Sequence, residues 1–245
     1  MNKKIGIKLP RAHKRLETLY EEVVQLADSD DVITDVGTDH GYLPVMLAKT
    51  NKYKKLIATD ISKPSLQKAH ELTQKYGVNV DCRVCDGLAN AKETTLAVMA
   101  GIGGNEIIKI LQESGYHGKM ILQPVPTAID LRRYLLENNY KIEKDYVFCD
   151  ENKFYFVFVV NGFGKNKYSK LDIALGPVKK QKTSQDFIKF VKAQINKLKF
   201  LENFDITKVT NLSKKEIKEK QQYYKQLKKL LEKNNDTRNN EISKN

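Results

Sequence analysis

The sequence predicts an α/β fold in which helices cover both faces of a mainly parallel sheet. From about residue 10 to 165, short apolar runs alternate with segments whose apolar residues recur every three or four positions. Two longer strand-like runs then flank the turn signal Asp150-Glu151-Asn152, which predicts an antiparallel hairpin at the sheet edge. After residue 165 the strand pattern stops. We therefore expect a Rossmann-like domain over residues 1–165 and a helical region after it.

The bounds of each element follow from apolar spacing and from turn and cap residues. A basic helix is expected at 8–27, where Pro10 suits the first turn. Ser62 and Gly77 are typical start and stop residues of a helix. Buried strands are expected at 32–36, 55–60, 78–84, 96–100 and 119–123, helices at 44–50, 62–77, 105–113 and 127–138, and hairpin strands at 140–149 and 153–160.

The C-terminal region is predicted to be helical. A polar linker at 166–182 precedes two amphipathic segments, 183–202 and 213–233, whose apolar stripes recur at coiled-coil spacing. They predict an antiparallel helical hairpin over 183–233, about 30 Å long at 1.5 Å per residue. The last segment, 234–245, is polar and without an apolar period, so we expect disorder there.

Charge suggests a polyanionic partner. The chain of 245 residues has a formal net charge of +13, and residues 179–233 hold 16 lysines against 6 acidic residues. An excess concentrated in this way favours a nucleic acid over an anionic membrane surface. The lysine-rich hairpin is therefore expected to bind RNA, with a dimerisation element as the alternative.

Other classes of protein are disfavoured. The sequence has no apolar run of about 18 residues and no secretory leader at its start, so we expect a cytoplasmic protein without a membrane partner. Cys82 and Cys85 lie in a strand-like run without a second ligand pair, which favours buried thiols over a metal site. We expect a monomer without metal.

The predicted cofactor site lies where the parallel strands end, because ligands of such sheets bind outside the carboxyl ends of the strands. Asp60, which closes the second strand, is spaced to accept the hydroxyls of a ribose, and Asp86 follows the third strand and could read an adenine amino group. The expected cofactor residues are Asp35, Gly37, Thr38, Asp39, Gly41, Asp60, Ile61, Asp86, Gly87, Ala100, Gly101, Ile102 and Gly103.

The acidic turn after the first strand distinguishes between cofactors. A dinucleotide site needs a glycine where its pyrophosphate presses on the backbone, but Asp39 stands at that place and would repel it. Asp39, or Asp35 before it, suits the ammonium or sulfonium of a methionine-bearing nucleoside. The residues therefore favour S-adenosylmethionine over a nicotinamide dinucleotide and over no small cofactor.

Four segments in order resemble the TrmK family, bacterial S-adenosylmethionine-dependent methyltransferases that act on N1 of adenine 22 in tRNA. They are GTDHGYLP at 37–44, AGIGG at 100–104, ILQP at 121–124 and LGP at 175–177. The Lys14-Arg15-Leu16 segment resembles the basic opening turn of the family, and the likeness extends over about residues 8–235. It implies a class I methyltransferase domain followed by a C-terminal coiled coil.

Residue roles follow from the site and the resemblance together. Asp39, His40 and Tyr42 are the catalytic candidates, because a carboxylate could stabilise the cationic product and a tyrosine could stack on the flipped base. Their alternatives are cofactor binding, helix capping or core packing. The expected RNA-binding residues are Arg11, Lys14, Arg15, Gln123, Pro124, Lys189, Lys192, Lys218 and Lys225. A methyltransferase for another RNA, or an RNA-binding protein with a relict Rossmann domain, remains an alternative.

Overall fold

The computed structural model describes residues 14–205 and 211–242, with side chains for 14–205 and 214–232, and within these residues seven strands form one sheet. The spatial order of the strands is β3-β2-β1-β4-β5-β7-β6. Their bounds are β1 Val32–Val36, β2 Lys55–Asp60, β3 Asp81–Val84, β4 Leu96–Ala100, β5 Lys119–Gln123, β6 Tyr140–Asp150 and β7 Lys153–Phe163.

The pairing of the strands creates one topological switch point. Strands β1 to β5 run parallel, while β7 pairs antiparallel with β5 and with β6. This confirms the predicted parallel sheet with an antiparallel hairpin at its edge. Strand order reverses at β1, which has β2 on one side and β4 on the other. The carboxyl end of β1 is therefore where a ligand of this fold is expected.

Helices cover both faces of the sheet. They are α1 Lys14–Leu26, α2 Tyr42–Ala48, α3 Lys63–Tyr76, α4 Gly104–Ser114 and α5 Ala128–Glu137. One hydrophobic cluster joins α1 and α2 to the sheet, and a second joins α4 and α5 to it. The predicted cap residues of α3 are confirmed, since the Ser62 hydroxyl accepts from the Ser65 N–H and Gly77 ends the helix at φ 60°. Strand β3 is shorter than predicted because its pairing with β2 begins only at Asp81.

The prediction of a polar linker at 166–182 needs correction. This segment forms two short helices, α6 Lys170–Leu175 and α7 Val178–Gln181. The first begins with a reciprocal capping box between Ser169 and Asp172, which satisfies free backbone N–H groups. The buried Gln181 accepts a hydrogen bond at 2.8 Å from the backbone N–H of Val147 on β6. The segment is thus fixed to the sheet.

The last two helices are α8 Gln185–Leu198, which continues as a 3-10 turn to Asn203, and α9 Asn211–Ile242. Helix α9 extends past the predicted hairpin end at residue 233, so residues 234–242 are helical where disorder was expected. A long helix that already exists can be extended by polar residues without a new nucleation step. A third hydrophobic cluster, containing Val147, Leu175, Phe187, Phe190, Val191 and Leu227, packs the two helices on the outer hairpin of the sheet. Their antiparallel coiled-coil pairing stays a prediction.

Candidate active site

A cavity of about 390 Å³ lies at the carboxyl end of β1, beneath helix α1. It therefore coincides with the topological switch point of the sheet. Two groups of residues form its wall, one from α1 and one from the acidic turn and the end of β4. The lining residues are Arg15, Leu16, Leu19, Asp35, Gly37, Thr38, Asp39, His40, Gly41, Tyr42, Leu43 and Ala100.

The turn from β1 into α2 depends on two glycines with left-handed backbones. Gly37 has φ 75° and Gly41 has φ 69°. A Cβ atom at position 41 would lie 2.8 Å from the Cβ of Ala69 on α3, so only glycine fits there. The backbone N–H groups of Gly37 and Thr38 both donate to the carbonyl of Thr59, at 2.8 and 3.0 Å. These bonds hold the turn against β2 and leave the side chains of Asp35, Asp39, His40 and Tyr42 to shape the cavity.

The carboxyl group of Asp35 is a weaker acid than an ordinary aspartate. It is partly buried at the end of β1, and burial raises the pKa of this carboxyl to about 6. The neighbouring Thr38 hydroxyl and the Arg15 guanidinium oppose this rise, while Asp60 adds to it. A bound cation would favour the ionised carboxylate. Asp35 is therefore suited to a positively charged ligand group.

Asp39, His40 and Tyr42 lie together at the exposed part of the cavity wall. The Asp39 side chain is 66% exposed, and its carboxylate lies 3.2 Å from Nε2 of His40 and 3.6 Å from Nζ of Lys68. The rings of His40 and Tyr42 are 5.5 Å apart between centroids. The structure thus brings the three predicted catalytic residues together beside the cavity. Lys68 of α3 was missed, because nothing in the sequence connects α3 with this turn.

Arg15 reaches from α1 across the end of the sheet. Its Nε atom donates to Oε1 of Gln123 at 2.5 Å, and its guanidinium occupies the space that a Cβ atom on Gly101 would need. Gln123 is fully buried at the end of β5, and its Nε2 atom has no hydrogen-bond partner among the described residues. Pro124 beside it is also buried. Arg15 and Gln123 are therefore part of the site interior.

Lys14 has a different environment from its neighbour. Its Nζ atom donates to the carbonyl of Cys149 at 2.7 Å and to the carboxylate of Asp186 at 3.0 Å. These contacts connect α1 to the end of β6 and to the first turn of α8. Arg11, the third member of the predicted basic group, lies outside the described residues.

The other predicted cofactor residues lie on the same edge of the sheet but outside the cavity lining. Asp60 accepts a hydrogen bond at 2.7 Å from the backbone N–H of Ser62 through Oδ1, which leaves Oδ2 available. Ile61 is 73% exposed. Asp86 is exposed, and its carboxylate lies 3.7 Å from Nζ of Lys109. The remaining predicted residues close to these strand ends are Gly87, Ile102 and Gly103.

The predicted RNA-binding lysines of the C-terminal helices are all exposed. Lys189 and Lys192 belong to α8, and Lys218 and Lys225 belong to α9. Their ammonium groups are therefore accessible to a polyanion.

A larger cavity of about 610 Å³ lies at the opposite edge of the sheet, near Lys55 at the start of β2. Its lysines Lys49 and Lys52 follow the end of α2, where cations complement the helix dipole. We assign the function to the smaller cavity, because ligands of doubly wound sheets bind at the carboxyl ends of the strands.

Residues 14–205 and 211–242 contain neither a metal site nor a membrane-spanning helix. No group of three or more His, Cys, Asp or Glu residues there could hold a metal ion. No described helix combines the length and the hydropathy needed to cross a membrane.

Comparison with known proteins identifies the family. The model of the family TrmK, tRNA (adenine(22)-N(1))-methyltransferase, matches residues 33–236. The chain belongs to the TrmK family. This match includes the acidic turn at the cavity, all of α8 and α9 as far as residue 236. It confirms the resemblance noted in the sequence and identifies the protein as an S-adenosylmethionine-dependent tRNA methyltransferase.

Individual relatives agree with this membership. The "Putative tRNA methyltransferase" of Mycoplasma genitalium is 31% identical over 170 residues, covering 67% of this chain and 77% of the relative. The tRNA (adenine(22)-N(1))-methyltransferase of Bacillus subtilis is 30% identical over 172 residues, covering 66% and 71%. A solved structure from Streptococcus pneumoniae, "a putative tRNA (m1A22) methyltransferase, in complex with S-adenosyl-L-methionine", has a TM-score of 0.72 and 26% identity, covering 87% of this chain and 98% of that one.

The cavity residues fit the cofactor of the family, S-adenosylmethionine. The Thr38 hydroxyl is buried in the cavity wall and lies next to the Asp35 carboxyl, so both groups can contact a polar part of a ligand. Asp35 supplies a carboxylate for a cation. This combination suits a nucleoside with a charged amino acid end better than a dinucleotide, as the sequence predicted.

Proposed function

We propose that this chain transfers a methyl group from S-adenosylmethionine to N1 of adenine 22 in tRNA, at the cavity beside β1. The observation that carries this proposal is the family match over residues 33–236. The formal net charge of +13 supports a polyanionic substrate. A cytoplasmic location and a monomeric state belong to the proposal, and sedimentation of the purified chain tests the second.

Residues at three strand ends would hold the cofactor. Asp35 would pair with the ammonium of the methionine portion, Asp60 would accept from the ribose hydroxyls through its available Oδ2, and Asp86 would accept from the adenine amino group. When bound, S-adenosylmethionine supplies a methyl group activated by a positively charged sulfur. The acidic lining of the cavity compensates this charge.

Transfer to N1 of adenine requires mainly orientation, because this ring nitrogen has a free lone pair at neutral pH. The base must leave its stack to reach the cavity. Tyr42 and His40 offer rings at the exposed wall for stacking, and Asp39 beside them stabilises the cationic methylated base or accepts a proton from its amino group. Asp39 is well placed for this role because its carboxylate is exposed.

The catalytic role of Asp39 has a direct test. Asp39→Asn should lower kcat about 100-fold or more, as expected for loss of an acid–base group, while S-adenosylhomocysteine affinity changes less than about threefold. Asp130→Asn removes another exposed carboxylate, on α5, and should change neither value. An equal loss of cofactor affinity would instead assign Asp39 to cofactor binding.

The substrate claim is tested on unmodified tRNA carrying adenine 22, with a transcript carrying guanine 22 as the control. After incubation with the protein and S-adenosylmethionine, mass spectrometry of the nucleosides and mapping of the modified position should find 1-methyladenosine at position 22 of the first tRNA alone. Methylation elsewhere, or of another RNA class, would overturn the substrate. Calorimetry with S-adenosylhomocysteine separates the enzyme from a relict RNA-binding protein, which should show no saturable binding.

A further inference from the structure

We infer that Arg15 is a cofactor-binding residue that pairs with the carboxylate of the methionine portion, so that Arg15 and Asp35 together recognise a zwitterion. This inference rests on the proposed function, because it takes S-adenosylmethionine as the ligand. It gives Arg15 a role different from the phosphate contact that the sequence predicts.

Arg15 is held in the wall of the cavity. Arg15 and Asp35 line the same cavity of about 390 Å³, one from α1 and one from the end of β1. The hydrogen bond from Nε to Gln123 fixes the guanidinium, and Gln123 is itself fully buried. A side chain held in this way cannot change rotamer freely, as a surface arginine does when it binds RNA phosphates.

The guanidinium of Arg15 keeps hydrogen-bond donors available for a ligand. A guanidinium has five N–H donors, of which Nε supplies one. Among the described residues, no hydrogen-bond acceptor is bonded to the two Nη atoms of Arg15, although Tyr155 lies under the guanidinium, 5.7 Å from ring centroid to Cζ. Two Nη groups side by side match the two oxygens of a carboxylate. Gly101 keeps the space around them free of a side chain.

The cavity lining carries charges of both signs. The positive charge of Arg15 acts on the Asp35 carboxyl and opposes the rise in its pKa. A ligand with a single positive charge would leave Arg15 unpaired, and an RNA phosphate would meet both Asp35 and Asp39. An amino acid end carries one ammonium and one carboxylate, so it can pair with both residues at once.

The test compares two ligands by calorimetry on the full chain. S-adenosylhomocysteine has the amino acid end, whereas 5′-methylthioadenosine lacks it. Arg15→Gln should lower the affinity for S-adenosylhomocysteine about 10- to 100-fold, the range for a lost charge-assisted pair. The affinity for 5′-methylthioadenosine should stay within about twofold of the wild-type value. Arg15→Lys keeps the positive charge but not the two parallel N–H donors of the guanidinium, so it should lose less affinity for S-adenosylhomocysteine. Arg133→Gln, an exposed arginine on α5, is the matched control and should change neither affinity.

Four results would overturn the inference. An equal loss for both ligands would make Arg15 a structural residue. Unchanged binding of both ligands with weaker tRNA binding would restore the phosphate contact. If Arg15→Gln fails to fold, equal affinities of Arg15→Lys and the wild type for S-adenosylhomocysteine would count against the pairing. A wild-type chain that binds neither ligand would overturn the proposed function too, whereas cofactor binding without tRNA methylation would overturn only the proposed function.

Discussion

The guanidinium of Arg15 and the side-chain amide of Gln123 are joined by a hydrogen bond of 2.5 Å between Nε and Oε1. It connects the first helix to the end of β5, residues that are 108 positions apart in the sequence. The bond fixes which way the Gln123 amide faces, because Oε1 must point to Arg15. The cavity wall therefore depends on a contact between two distant parts of the chain.

Gln123→Met should separate the role of this bond from simple stability. The substitution removes the acceptor of Arg15, and we expect S-adenosylhomocysteine affinity to fall about 3- to 10-fold, the effect of one modest hydrogen bond. It also removes a buried Nε2 that lacks a partner among the described residues, so Tm should stay equal or rise. Calorimetry and thermal unfolding measure the two effects. A lower Tm with unchanged affinity would contradict the positioning role.

Gly101→Ala tests the space that Arg15 occupies. A Cβ at this position collides with the Arg15 guanidinium, and the backbone has φ 82°, which is strained for alanine. Gly115→Ala is the matched control, since Gly115 has φ 61° with no atom within 4 Å of the added Cβ. Both variants should lose about 1 kcal/mol of stability from backbone strain. Only Gly101→Ala should lower the affinity for S-adenosylhomocysteine, by about tenfold or more. Equal affinities in the two variants would show that displacement of Arg15 has no consequence.

Asp35 should make cofactor binding depend on pH. With a pKa of about 6, its carboxylate is mostly protonated at pH 5 and ionised at pH 7. If the ionised form alone binds the ammonium, affinity for S-adenosylhomocysteine should rise about tenfold between these values. Asp35→Asn should bind weakly and without this rise. A pH profile that is the same in both proteins would exclude Asp35 as the ammonium partner.

The same residue should lower stability as pH rises. Because the folded pKa is above the ordinary value of 3.8, the folded state binds more protons than the unfolded chain between about pH 4 and 6. Ionisation of Asp35 therefore lowers the free energy of unfolding across this window, by about 3 kcal/mol in total. Asp35→Asn should unfold at a higher denaturant concentration than the wild type at pH 7.5, and the difference should vanish near pH 4. If Asp35→Asn is less stable than the wild type at pH 7.5, the ionised carboxylate of Asp35 does not destabilise the folded state.

The exposed lysines of the last helices should act on tRNA alone. Replacing Lys189, Lys192, Lys218 and Lys225 by glutamine should raise KM for tRNA and reduce the slope of log affinity against log salt by up to about one per lost phosphate contact. S-adenosylhomocysteine affinity should not change. The control replaces four lysines far from the last helices. Lys49, Lys52 and Lys54 lie between α2 and β2, and Lys75 lies in the last turn of α3. An equal loss in the control would assign the effect to net charge.

The structure also decided which expectations about the C-terminal region needed revision. The polar composition of 166–182 predicts a linker, but the buried Arg132 on α5 donates to the carboxylate of Asp145 and to the carbonyl of Ile173 on α6, each at 2.7 Å. Contacts of this kind join residues that composition treats separately. Local polarity therefore underestimated how firmly this segment is attached to the sheet.

The sequence by itself located the strands and the functional residues at their ends. Apolar runs and turn residues located five parallel strands, their acidic ends, and the cofactor that suits Asp35 and Asp39, because these features depend on neighbours along the chain. Only the tertiary structure decided that Arg15 belongs to the cavity wall and that Lys14 is engaged by Cys149 and Asp186. The reason is that a basic helix has the same pattern whether its cations face solvent or a distant strand end, and packing alone selects between the two.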